Sequence, residues 1–162
     1  MSGHGERPGN EFQSLVDRHY DALVRRLTLI LRDHEEAKDI AQETYLRAFR
    51  AWDSFDGRDG RGWLFTIGIR LALNSLRRRR WLSTGVRKLP FPQETWQPMD
   101  HVELWAALDE IPAKHRAALL LNVLDGYTQA EVAEILNVPP GTIASWVANA
   151  KARLRETMGE PR

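Results

Sequence analysis

Apolar residues recur along this chain at helical intervals. Phe12, Val16, Leu23, Leu27 and Leu31 fall on one stripe with polar residues between them, the pattern of a helix with one buried face. Ala41, Tyr45, Ala48, Phe49 and Trp52 form a second stripe. A third begins with Leu64, Ile67 and Leu71 and ends in four consecutive arginines at 77–80. Between the second and third, DSFDGRDGRG carries three glycines and predicts a loop. No segment combines sustained alternation with β-branched residues and hairpin turns, so no sheet is expected.

Residues 82–100, LSTGVRKLPFPQETWQPMD, hold three prolines and no clean period; they read as a partly extended linker. Beyond it, VELWAALDEI predicts a short amphipathic helix stopped by Pro112, and AKHRAALLLNVLDG another that ends near Gly126. Thr128 and Glu131 have the T-x-x-E spacing of a capping box. Val132, Ile135 and Leu136 form the stripe of the helix they start. Asn137 suits a left-handed helix end and Pro140 the first turn of the next helix. The fold expected is all-α. It has a polar, disordered tail at 1–10, a helical bundle at 11–81, the proline-containing linker at 82–100 and a helix-turn-helix domain at 101–157.

Charge changes this picture. The net charge is only +1, but it is segregated. Residues 1–59 hold 9 basic and 12 acidic side chains, residues 60–93 hold 8 basic and none acidic, and residues 94–162 hold 6 basic and 10 acidic. A nucleic-acid footprint is normally a local basic stripe. Here it lies mid-chain, away from the helix-turn-helix, whose second helix carries no Lys or Arg from 139 to 150. Four arginines in a row exceed what a helix C-terminus needs, and phosphate contact is the preferred reading. Trp52, Trp63 and Trp105 lie on or near apolar stripes and read as core. Trp146, in the middle of the second helix of the motif, is open to two readings, a packed residue or an exposed stacking side chain.

Enzyme chemistry finds no support. The five histidines are scattered, HEEAK lacks the second His of a helical zinc site, and GRDGRG lacks the Lys-Ser/Thr of a phosphate-binding loop. The absence of cysteine excludes a disulfide framework and suits a reducing cytoplasm. No stretch is long and apolar enough to cross a bilayer, and MSGHGERPGN does not resemble a signal peptide. No metal or cofactor is expected.

The order of motifs resembles the extracytoplasmic-function (ECF) group of bacterial RNA polymerase sigma factors over about residues 11–157. DHEEAKDIAQETYLRAFRAWDSF resembles the region 2 segment that grips the clamp helices of core polymerase. The resemblance implies this role for Asp39, Gln42, Glu43 and Arg47. RGWLFTIGIRLALNSLRRRR resembles the next helix, which recognises and melts the −10 promoter element. It implies −10 DNA contacts for Phe55, Arg58, Arg61, Trp63, Arg70, Asn74, Arg77, Arg78, Arg79 and Arg80, with the loop at 55–62 capturing an unstacked base. The segment from Leu108 to Glu156 resembles region 4, which binds the −35 element and the polymerase flap. Thr128, Gln129, Gly141, Thr142, Ser145, Trp146, Asn149, Lys151 and Arg153 are the −35 contacts it implies. Where family members usually carry a Lys and two Arg, this chain has Ala144, Trp146 and Asn149.

The expectation is a cytoplasmic bacterial sigma factor, monomeric when free. Its partners are core RNA polymerase, promoter DNA and an anti-sigma factor. Because the polymerase positions both domains, a weakly basic recognition helix is tolerable. Two alternatives stand beside it: a sigma-like protein that titrates an anti-sigma factor, and a helix-turn-helix regulator independent of polymerase.

Overall fold

A computed structural model describes residues 8–82 and 102–159. Seven helices follow in order: α1 Pro8–Leu31, α2 His34–Arg50, α3 Gly60–Leu82, α4 Val102–Asp109, α5 Ala113–Val123, α6 Gln129–Leu136 and α7 Pro140–Met158. A single 3-10 turn, Trp52–Ser54, lies between α2 and α3. No strand occurs among the described residues. Of the tail expected to be disordered at 1–10, residues 8–10 already belong to α1, and of the linker expected at 82–100, Leu82 still belongs to α3; the rest of both lies outside the described residues.

The α1 stripe buries Phe12, Leu23, Leu27 and Leu31 as the period predicts, together with Val24 and Ile30. The helix ends where Arg32 turns left-handed at φ 58° and donates its amide to the Thr28 carbonyl at 2.7 Å. Asp33 then caps α2, accepting from the Glu36 amide at 3.1 Å. The buried face of α2 is made of small residues, Ala37, Ala41, Thr44 and Ala48, so its backbone lies close to its neighbours. Gly68 shows how close. A Cβ there would sit 3.0 Å from Leu23 Cδ1 and 3.1 Å from Thr44 Oγ1, so a methyl at the crossing would push these neighbours by a few tenths of an ångström. Around it Leu64, Phe65, Ile69, Leu71 and Ala72 of α3 are buried. Ile67, expected on the core stripe, is only partly covered.

Two expectations need correction. The glycine-rich loop is shorter than read, because Gly60, Arg61 and Gly62 already belong to α3. The Asp59 side chain accepts the Gly62 amide at 3.0 Å and its carbonyl the Trp63 amide at 3.0 Å. This local capping starts the helix early despite the glycines. Phe49, expected on the buried stripe of α2, is 59% exposed.

The second module wraps α4, α5 and α6 around α7. Thr128 and Glu131 form the capping box, with hydrogen bonds of 3.2 Å and 2.7 Å. Asn137 takes φ 56° at the end of α6, and Pro140 opens α7. Helix α5 stops at Val123, short of Gly126, which holds φ 74° in the following turn. Val132 and Ile135 of α6 and Ile143, Val147 and Ala150 of α7 are buried in one core with Leu119, Leu120 and Leu121 of α5. The two modules do not stand apart. One continuous apolar core runs from Leu23 and Phe65 to Leu120 and Ile143. Burying each such side chain contributes roughly 1.5–3 kcal/mol.

Candidate nucleic-acid interface

Three surfaces hold the residues singled out by sequence. The first is the outer face of α2. Asp39, Gln42 and Arg47 are exposed there and Glu43 is half-buried. Arg47 donates to Glu43 at 2.9 Å, a pair whose side chains are 55% and 42% exposed, so it stabilises the helix only slightly. Leu46, 53% exposed, and Phe49 continue the same face. Two large apolar side chains thus stand largely exposed beside a carboxylate on this face. Sequence periodicity missed both: Leu46 lies on no stripe, and Phe49 was assigned to the buried one.

The second surface lies at the start of α3. Phe55 packs against two indoles, 4.6 Å from Trp63 at 24° and 5.4 Å from Trp52 at 26°, and the indoles lie 6.1 Å from each other, so the three rings form a triangle. Phe12 meets Trp52 edge-on at 5.2 Å. Trp52 and Trp63 are thus half-buried in an aromatic cluster rather than enclosed in the core, whereas Trp105 is buried. The neighbouring turn is ordered by Asp56, which accepts the Arg58 amide at 2.8 Å. Gly62 must be glycine while this cap holds, since a Cβ would meet the Asp59 carboxylate at 2.1 Å.

The basic stripe continues along α3. Arg58, Asn74, Arg77 and Arg78 are exposed. Arg79 pairs with Glu36, which also accepts from the Ser75 hydroxyl at 2.7 Å. The Arg80 side chain lies outside the described residues. Arg61 and Arg70 point elsewhere. Arg61 donates to Asp125 at 2.9 Å and lies over the Phe65 ring at 4.7 Å. Arg70 donates to the carbonyls of Ile135 at 2.9 Å and Glu134 at 2.7 Å. Both reach into the second module.

The third surface is the helix-turn-helix. Thr128, Gln129, Gly141, Ala144, Ser145, Ala148, Asn149, Lys151 and Arg153 are exposed, and Thr142 is half-buried with its amide on the Pro139 carbonyl at 3.0 Å. Trp146, left open by the sequence, is half-buried and stacks on His115 at 5.2 Å and 24°. Burial, aided by the Arg153 charge, pulls the His115 pKa below its ordinary value. The outward face of α7 therefore offers hydroxyls, an amide and small side chains, with cations only at its far end. Among the described residues no group of His, Asp and Glu could hold a metal ion, and no helix is long and apolar enough to cross a membrane.

The sigma-70 region 2 family model matches residues 15–82, and the sigma-70 region 4 model matches residues 101–154. The ECF sigma factor SigM of Mycobacterium tuberculosis is 33% identical over 91% of this chain and 77% of its own length. The chain belongs to the ECF sigma factors. As a sigma factor it directs transcription initiation. The ECF sigma factor SigE of Mycolicibacterium smegmatis is 28% identical over 92% of the chain, which spans 62% of that protein. Among solved structures, the sigma factor RpoE in complex with the anti-sigma factor NepR from Bartonella quintana matches with a TM-score of 0.78 at 26% identity. That match covers 94% of this sigma factor and 99% of the other chain, so it runs through both modules.

Proposed function

We propose that this ECF sigma factor docks on the clamp helices of core RNA polymerase through the outer face of α2. Region 2, residues 11–81, then serves the −10 element, and region 4, residues 101–157, the −35 element. The observation that carries the reading is the α2 face itself. Asp39, Gln42, Leu46 and Phe49 lie side by side in water, a mixture of charge, amide and apolar surface that suits a protein partner. Phe55 and Trp63 would stack an unpaired base of the −10 non-template strand, and Arg58, Arg77 and Arg78 would hold its phosphates. Region 4 would read the −35 bases with Thr142, Ser145 and Asn149 and touch the backbone with Thr128, Gln129, Lys151 and Arg153. The sigma factor supplies no catalytic group and works in the bacterial cytoplasm, where an anti-sigma factor would hold it in reserve.

Run-off transcription on a pool of genomic fragments, with purified core polymerase, tests this reading. The wild-type chain should direct discrete transcripts. The pair Asp39→Arg with Glu43→Arg should weaken core binding in a pull-down without unfolding the chain. Transcripts absent at every concentration of sigma factor would favour titration of an anti-sigma factor, and promoter binding without polymerase would favour an independent regulator.

A further inference from the structure

The outward face of α7 carries small side chains, and the one large residue of the same turns is held off it. Gly141, Ala144, Ser145, Ala148 and Asn149 are exposed along one side, while Ile143, Val147 and Ala150 are buried on the other. A Cβ at Gly141 would meet nothing beyond its own turn within 4 Å, so internal packing does not demand glycine there. Trp146 stands at the border between the two sides. It is half-buried, packs against the core and stacks on His115 of α5 at 5.2 Å and 24°. Arg116, the next residue of α5, is buried and donates to the carbonyls of Leu108, Ile111 and Ile30. The imidazole is therefore presented from a fixed stretch of helix.

The face that remains has a chemical bias. Guanine offers two acceptors in the major groove and is read most often by a bidentate arginine or lysine. From Pro139 to Ala150 the chain has neither. The Asn149 amide carries a donor and an acceptor, which match adenine N7 and N6. The methyls of Ala144 and Ala148 are complementary to the thymine methyl. Side chains this short reach base edges only if the helix itself lies deep in the groove. An indole swung outward at Trp146, one turn before Asn149, would prop the helix away.

We propose that His115 is a positioning residue for −35 readout: by holding Trp146 back against α5, it lets the small face of α7 enter the major groove deeply and select A·T pairs over G·C pairs. Asn149 sets the adenine, and Ala144 and Ala148 meet thymine methyls. Lys151 and Arg153, exposed further along α7, neutralise phosphates without reading sequence. The inference rests on the sigma-factor reading above.

A promoter library tests it. The −35 element is randomised upstream of a fixed −10 element, taken from a fragment that the wild-type holoenzyme transcribes, and the run-off transcripts are sequenced. Preference is a ratio between promoters in one tube, so a variant with less folded protein lowers all of them alike. The wild type should enrich A·T pairs. Asn149→Ala should lose about tenfold of the adenine preference at one position. His115→Ala should lower A·T preference by a similar factor across the element, and His115→Phe, which keeps the ring stack, should restore it. In a Trp146→Ala background His115→Ala should change nothing further, because the indole it holds is gone. Enrichment of G·C at the position that Asn149→Ala shifts would overturn the proposal. So would a His115→Ala variant that lowers every promoter alike, since the stack would then serve stability alone. Loss of preference in Trp146→Ala but not in His115→Ala would also overturn it, because the indole would then touch the bases itself. Transcription with no −35 preference sinks this inference and leaves the sigma-factor reading standing. If the wild type transcribes no fragment with core polymerase, that reading fails and the inference with it.

Discussion

Asn137 holds φ 56° at the junction of α6 and α7, a conformation that costs most residues with a Cβ about 1–2 kcal/mol. Asn137→Ala should lower stability in urea unfolding by about 1 kcal/mol, and Asn137→Gly should be close to neutral. Removing the capping hydroxyl with Thr128→Ala should cost about 0.5–2 kcal/mol. These positions were legible in the sequence because caps and left-handed turns depend on local chemistry. Trp146 was not, since nothing local says whether a ring on a surface helix finds a partner. Its partner, His115, also sets a pH response. Burial lowers the pKa of His115, and burial with the Arg18 and Arg61 charges lowers that of His19. Below the ordinary value of 6.5 the unfolded chain therefore binds more protons than the folded one. Stability is fully present above that pH and declines as pH falls further. His115→Phe keeps the ring stack and removes one titrating group. Its melting temperature should fall less between neutral and mildly acidic pH than that of the wild type; an identical fall would refute the assignment.

Among the elements, α2 and α3 show what periodicity reveals and what it hides. Of the small residues on the buried face of α2, only Ala41 and Ala48 lie on the stripe read from the sequence; Ala37 and Thr44 do not. The opposite face was not legible, because Leu46 lies on no stripe and Phe49 lies on the one read as core, yet both are more than half exposed. An exposed apolar residue is informative only once the fold shows that nothing covers it. Leu46→Ser with Phe49→Ser should cost only about 0.5–1.5 kcal/mol, the worth of the edge contact that the Phe49 ring makes with Phe12 at 5.4 Å, and α2 should stay helical by circular dichroism. Affinity for core polymerase should drop by about tenfold or more, since truncating a docking anchor costs on the order of 2 kcal/mol. A loss of stability exceeding the loss of affinity would mean that these side chains support the bundle instead. On α3 the early start at Gly60 escaped the sequence, because three glycines outweigh one capping aspartate in any local reading. The capping geometry of Asp59 decides otherwise.

At the scale of the molecule, two helical modules were legible and their union was not. The interface is built from single charged residues embedded in apolar helices, a pattern with no period. Arg26 sits among Val24, Leu27 and Thr28, and Arg116 inside AKHRAALLL. Arg32 of α1 pairs with Asp109 of α4 and lies over the Trp105 ring at 4.2 Å. Arg116 is the most enclosed of these cations, 6% exposed. It donates to the carbonyls of Leu108 and Ile111 at 3.0 Å each and to that of Ile30, near the end of α1 in the other module. Burial lowers its pKa to about 10, against which the Asp109 charge works; at neutral pH it stays protonated. One planar fork thus joins carbonyl groups from both modules, which a lysine ammonium cannot match. Removing it strands buried acceptors at the seam of a shared core, a loss of about 3–5 kcal/mol. Because that core is continuous, the wild type should melt in one calorimetric transition. Arg116→Leu keeps apolar volume but no donor, and Arg116→Lys keeps charge but not the fork; both should melt at markedly lower temperature. The Asp125 carboxylate, 2% exposed, holds Arg26 and Arg61. Combining Arg116→Leu with Asp125→Leu removes the two most buried of these anchors and should split the transition in two. A double variant that still melts in one transition at the wild-type temperature would show that apolar contact alone unites the modules.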